Sequence, residues 1–394
     1  MHLLRTNILL RTILICLLLL VLNGCWDRVE INDLAIVMGI GLDKTEEGDI
    51  ELSVQIANPK AMAGSGSSGG QSSGNPIVVE TVTGRTIFDA RSKLQESLSR
   101  QLFEGHNRVI FISKALAEEG IQKHIDFFAR FPSPRLRANI FIVDSKVIDI
   151  LKVPSDFELN SSEVARELAK LKIGMNITTK DLLEQLANES SSIALPSITV
   201  EDKPVGTKGL RVNGSAIIKE NKMVGEIDNA LSRGVLWLRD EIKLSSVTLE
   251  PENTEGYISF KLLRSSTDLS PTIKNGKWKM VVNITTEDDV VENETNLDVL
   301  DPKITDKLEK QLEQKVTERI QKTLDYVQKE IGADVFGFGE AFYRKFPKQW
   351  NKEKDMWAEK FPELEVEINC KAYIRRPGRS NIPQGTQKEE GVKK

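Results

Sequence analysis

Apolar residues change their spacing several times along the chain, and each change marks an element. Residues 13–22 form an almost unbroken apolar run behind Arg5 and Arg11. The run is too short for a finished membrane span and has the layout of a secretory signal. Residues 34–42 and 50–56 read as strands. In the second, Ile50, Leu52, Val54 and Ile56 alternate with Glu51, Ser53 and Gln55. Residues 43–49 supply a turn. Residues 64–74 carry no apolar side chain and predict a flexible connection, not a phosphate cradle, because no Gly-Lys-Ser/Thr follows. Further strands are expected at 77–82, 109–112 and 137–143. Helices are expected at 86–103, where Ile87, Leu94, Leu98 and Leu102 recur near helical spacing, and at 114–128. Two more helices follow between 161 and 188, with Asn160 or Ser161 and Thr179 as caps.

Pro196, Pro204, Gly206 and Gly209 mark the expected domain boundary. Beyond it, 210–219 and 222–227 read as a hairpin turning at Glu220-Asn221, and strands are expected at 242–249, 256–264 and 277–291. Asp301-Pro302 opens a long helix, since Asp caps and Pro suits the first helical position. Its apolar stripe is Ile304, Leu308, Leu312, Val316, Ile320, Leu324, Val327 and Ile331. Successive steps of four advance the stripe by about 40° each, so the buried face rotates along the helix, which suits a helix crossing a twisted sheet. Strands interleaved with helices, then strands followed by helices, predict an α+β protein of several domains with mixed and antiparallel sheets. The expected division is 1–24 signal peptide, 25–205 N-terminal domain (one unit, or two with a break near 155), 206–377 C-terminal domain, and 378–394 disordered tail.

Composition narrows the chemistry. Three Cys and three His in 394 residues exclude a disulfide scaffold and leave no clustered set for a metal. Fifty-four basic against 58 acidic residues give no excess for nucleic acid. No Gly-x-Ser-x-Gly elbow or His-Glu-x-x-His motif supports a hydrolase. Gly39-Ile40-Gly41 is read as close backbone packing inside a sheet. Leu22-Asn23-Gly24-Cys25 ends the apolar run in a pattern that resembles the bacterial lipobox, which makes Cys25 the expected lipid attachment point. Cleavage before Cys25 removes Arg5 and Arg11 and moves the formal charge from −4 to −6. Cys370 is then the one free thiol.

Four segments in order carry a family resemblance. Gly24-Cys25-Trp26-Asp27-Arg28-Val29-Glu30-Ile31-Asn32-Asp33-Leu34 runs into Gly39-Ile40-Gly41-Leu42-Asp43-Lys44. Glu104-Gly105-His106-Asn107-Arg108-Val109-Ile110 follows, and then 214–225 with Arg233-Gly234-Val235-Leu236-Trp237-Leu238. The last is Asp334-Val335-Phe336-Gly337-Phe338-Gly339-Glu340, running through Pro347, Trp350 and Trp357 to Arg375-Arg376. Together these resemble the Ger(x)C lipoproteins, the C subunits of spore germinant receptors in endospore-forming bacteria. Leu231-Ser232 stands where members commonly carry Glu-Thr. The resemblance implies an α+β protein anchored to the outer face of the inner spore membrane through diacylglycerol and acyl chains on Cys25. It also implies partnership with two membrane subunits, A and B, and brings neither catalytic residues nor a cofactor.

The expected function is thus a non-catalytic, lipid-anchored receptor subunit required for assembly and signalling in spore germination. The alternative is a solute-binding lipoprotein that captures the germinant itself. Candidate membrane or partner contacts are Trp26, Arg28, Arg233, Trp237 and Phe338. Phe336 and Phe338 are also read as core anchors flanking a turn, and Trp350 and Trp357 as one helical face turned to the core.

Overall fold

Two mixed sheets, each covered by helices, organise the chain. Residues 30–58, 76–187, 192–204 and 206–376 are described in the computed structural model. The signal, Cys25, Trp26, Arg28, the 64–74 connection and the 378–394 tail lie outside them.

The first sheet contains β1 (Leu34–Lys44), β2 (Ile50–Ala57), β3 (Ile77–Gly84), β4 (Gln101–Phe103), β5 (Val109–Ser113), β6 (Asn139–Val143), β7 (Ile193–Asp202), β8 (Lys208–Lys219) and β9 (Lys222–Ile227). Its order is β3-β2-β1-β5-β6-β7-β8-β9, with β4 also on β1. β1, β5, β6 and β7 run parallel, and the outer pairs are antiparallel. β5 and β6 are apolar at almost every position because both faces are covered. Ile110, Ile112, Ile140 and Ile142 face one core, whereas Val109, Phe111, Phe141 and Val143 face the other.

Several expected elements change at their ends. The 86–103 helix stops early: α1 spans Ile87–Ser97, capped by Thr86, and Gln101–Phe103 pairs with Leu34–Ile36 instead. Strand pairing overrides the helical spacing of Leu102, which is buried beside Ala35. The 114–128 helix divides into α2 (Lys114–Glu119) and α3 (Gln122–Arg130) at Gly120, whose φ of +135° no helix contains. α4 (Val147–Leu151) was not anticipated from the pattern. Asn160 caps α5 (Ser161–Lys170), as expected. α6 (Thr179–Leu186) is capped by Thr178 in a reciprocal box with Asp181, not by Thr179, whose hydroxyl donates to the Ala138 carbonyl. Side chains at positions 39 and 41 would have to occupy space already filled. A Cβ there would lie 2.0 Å from Ser162 Oγ and 2.3 Å from Val147 Cγ1, so both glycines let α4 and α5 lie directly on β1.

The residues that suggested a boundary near 205 form a hairpin turn. Asp202 pairs with Lys208 and Lys203 N–H donates to Thr207 O at 2.7 Å, so the first sheet continues through Ile227. Pro196 is accommodated at a bulge between Pro196 and Ile198.

The second sheet has the order β10-β11-β12-β13, from β10 (Ser246–Leu249), β11 (Ile258–Lys274), β12 (Lys277–Asn293) and β13 (Glu365–Arg376). β11 and β12 meet at Asn275-Gly276, both with positive φ, the two-residue turn that matches strand twist. The strand expected at 256–264 therefore runs on to Lys274. β13 pairs parallel to β12. α7 (Asn229–Leu238) packs on α8 (Pro302–Asp325), which Asp301 caps and Pro302 begins. The expected α8 stripe is buried at Leu308, Leu312, Val316, Ile320, Leu324 and Val327, and continues through a wider turn, Tyr326–Ile331, to Gly332. On the flank of α8, Glu313 and Glu309 accept the backbone N–H groups of Ala372 and Ile374, closing the outer edge of β13. α9 (Phe338–Lys345), α10 (Pro347–Glu353) and α11 (Trp357–Lys360) complete the order. One apolar cluster joins Ala194, Ile217 and Ile227 of the first sheet to the core of the second.

Candidate functional site

Two of the four sequence segments singled out above are centred on buried carboxylates. The first is a short helical turn, Glu104–His106, that interrupts a strand so that β4 and β5 both lie along β1. Glu104 is buried there and accepts from Arg91 of α1 and from Ser133 Oγ at 2.6 Å. The Arg91 guanidinium also stands 4.7 Å above the Phe131 ring. One carboxylate thus ties α1, the strand break and the loop before β6.

The second is Asp334. Its Oδ1 accepts from the backbone N–H groups of Phe336, Gly337 and Phe338 at 3.1–3.2 Å. Its Oδ2 accepts from Gly339 N–H at 2.7 Å and Trp357 Nε1 at 3.1 Å. Burial pushes this carboxyl up, against the pull of those donors. The glycine spacing follows from the same knot. Gly337 takes φ +83°, and a Cβ on Gly339 would lie 2.8 Å from the Trp350 ring. Trp350 and Trp357 meet edge to face at 5.1 Å, and Phe336 and Phe338 lie 5.2 Å apart, so all four rings face the core as expected, but Trp350 and Trp357 stand on two helices, α10 and α11, and not on one.

Beside Asp334 opens a cleft of about 480 Å³ between the first sheet and the C-terminal helices, lined by Ser192 and Lys219 on one side and by Tyr343, Trp350 and Trp357 on the other. Lys219 Nζ donates to Gly332 O at 2.8 Å and Ser192 N–H to Asp334 O at 3.3 Å, bonds that hold the two halves together. Among the described residues no three His, Cys, Asp or Glu side chains are placed to hold a metal, and no helix is long and apolar enough to cross a membrane. Burial pushes the Cys370 thiol up to about 12, so it stays protonated.

The expected contact residues separate. Trp26, Arg28 and Cys25 lie outside the described residues. Arg233 is exposed on α7 beside Arg319. Trp237 is 3% exposed and Phe338 0%, so neither has surface to offer a partner: both are core. Gly234 is equally structural, since a Cβ there would lie 2.0 Å from Thr323 Oγ1 on α8. Apolar periodicity does not single out Glu104 or Asp334, because it carries no sign of which charged residues are buried. A lone acid heading a run of Phe and Gly was the available sign for Asp334. β13 was missed although Val366, Ile368, Cys370, Ala372 and Ile374 alternate strictly with polar residues.

His124 is a buried histidine on α3, and burial holds its imidazole down at about 4. Its neutral form is favoured in the folded chain. The resulting stability is complete above the unfolded value near 6.5 and is lost as pH falls toward 4. Between pH 7.5 and 5 the folded chain should lose about 2 kcal/mol from this group. Urea midpoints of a His124→Gln variant should be flatter over that window than those of the parent; parallel profiles would refute the assignment.

The fold and these knots define a class first: an α+β protein of two helix-covered sheets, each half with a buried carboxylate that ties its own elements, and a cleft between the first sheet and the C-terminal helices. The family model for "Spore germination protein N-terminal domain" matches residues 27–200, and that for "Spore germination B3/GerAC like, C-terminal" matches 213–378. Spore germination protein KC of Bacillus subtilis (strain 168) is 29% identical over 95% of this chain and 97% of its own. Spore germination protein B3 of the same organism is 23% identical over 91% and 95%. The crystal structure of the GerBC protein superimposes with a TM-score of 0.56 at 18% identity, over 88% of this chain and 99% of that one, which shows a shared fold. The chain belongs to the Ger(x)C family.

Proposed function

We propose that the chain is a lipid-anchored, non-catalytic subunit of a spore nutrient germinant receptor, held by acyl chains on Cys25 at the outer face of the inner spore membrane. There it assembles with polytopic A and B subunits and contributes to signalling. The observation that carries this reading is the end-to-end match to relatives named as spore germination proteins, with both family models in order. The use of Glu104 and Asp334 as structural acceptors supports a scaffold, because the two acids at the centre of the motifs are already engaged. Two acyl chains, at about 0.8 kcal/mol per buried CH₂, are enough for durable anchoring. A Cys25→Ala variant should leave the membrane fraction and fail to restore nutrient germination in spores lacking the chain. Normal fractionation and germination with that variant would refute the anchor.

The cleft beside Asp334 favours one second reading, direct capture of a small germinant. Calorimetry against amino acids and sugars separates the two: saturable micromolar heats, abolished by Lys219→Ala, would support capture over scaffolding.

A further inference from the structure

The first sheet has two ends, and one of them carries exposed apolar and basic side chains together. β1, β4, β5 and β6 run parallel, so all four enter the sheet from one side: Gln101 is level with Leu34, and Val109 and Asn139 are level with Gly39, five residues further along β1. The chain enters β1 there through the turn Ile31–Asp33. Ile31 is 65% exposed, Phe103 on β4 37%, and Leu136, in the loop before β6, 42%. Arg135 and Arg137 flank Leu136, are both exposed, and form no ion pair among the described residues. Phe103, His106 and Arg135 are contiguous, and Ile31 stands ahead of them at the entry to β1. The Phe103 and His106 rings are 6.0 Å apart, and Arg135 and Arg108 both act on His106, whose imidazole is held low by burial first and by these charges second.

Covalent geometry places this end near the anchor. Fully extended, the chain from Cys25 to Ile31 spans at most about 22 Å. β1 is 11 residues long, about 36 Å at a strand's rise, so its far end stands well beyond that reach. At the opposite end of the sheet, where Lys203 of the β7–β8 turn donates to Asp156, Phe157 is 96% exposed.

We infer that the β1-entry end of the first sheet is a bilayer-docking face, where Arg135 and Arg137 meet anionic headgroup phosphates while Leu136 and Ile31 reach into the interface. This rests on the anchor at Cys25. Glu30 and Asp33 beside Ile31 oppose an anionic surface, so the attraction comes from the 135–137 loop. Each basic residue close to such a surface strengthens binding roughly fivefold. Two arginines and two apolar side chains orient the protein; the acyl chains retain it. The face therefore sets which way the sheet stands on the membrane.

The test uses the acylated full chain, in a Cys370→Ser background, on phosphatidylglycerol or neutral phosphatidylcholine vesicles. A fluorophore is placed at Leu136→Cys or, for comparison, at Phe157→Cys. On anionic vesicles the probe at 136 should be severalfold less accessible to aqueous iodide than the probe at 157. Adding Arg135→Gln and Arg137→Gln should restore access. Equal quenching at both sites, on protein that floats with the vesicles, would overturn the docking face and leave the anchor standing. Equal shielding at 136 on neutral vesicles would overturn the role of the arginines. Protein that does not float at all would overturn the anchor and the face together.

Discussion

Replacing Asp334 by Ala should lower the free energy of unfolding by about 3–5 kcal/mol in a denaturant titration. The carboxylate is the acceptor for four successive motif N–H groups and for the Trp357 indole, and it is fully buried beneath the C-terminal helices. Ala leaves those donors without partners and removes the group that sets the turn into α9. Asp334→Asn is the sharper variant, because one of its two oxygens becomes an NH₂ facing N–H donors. It should recover little of the loss. Stabilities of either variant within about 0.5 kcal/mol of the parent would show that the knot is incidental.

Gly234→Val should destabilise by about 3 kcal/mol or more, by wedging α7 away from α8. A Cβ at 234 would lie 2.5 Å from Thr323 Cβ and 3.0 Å from Thr323 Cγ2, and Thr323 has no room to retreat. Its hydroxyl donates to Leu231 O and Arg319 O, each at 3.2 Å, and the residue is fully buried. A double variant with Thr323→Gly should recover a substantial share of the loss. Strict additivity of the two substitutions would instead place the strain elsewhere.

How far the fold could be read in advance depended on where each element finds its partner. α8 announces itself through Asp301, Pro302 and a stripe that slides around the helix, and the buried positions from Leu308 to Val327 follow it. The Glu220-Asn221 turn is equally local, and Gly39 and Gly41 signal close packing although Ser162 and Val147, which pack there, lie far along the chain. The rest was decided at a distance. Leu102 fits a helix by spacing but a strand by its neighbour Ala35. Pro204 and Gly206 mark a domain boundary, which agrees with the break between the two family models, although the strands on either side pair in one sheet. Trp237 and Phe338 carry two readings in the sequence, structural and contact, and the packing of α7 and α9 settles both as enclosed. The candidate site was legible as motifs and illegible as chemistry, since Glu104 draws its partners from α1 and a loop far along the chain.

The position of β13 sets a schedule for biogenesis. The strand that seals the second sheet is supplied by the last described residues, so β12 and the glutamates of α8 wait for it until synthesis has passed residue 376. A chain terminated before Glu365 leaves the β12 edge open from Lys279 to Asp289, a ready template for aggregation. A stop before Glu365 therefore leaves the C-terminal half with an unsealed sheet.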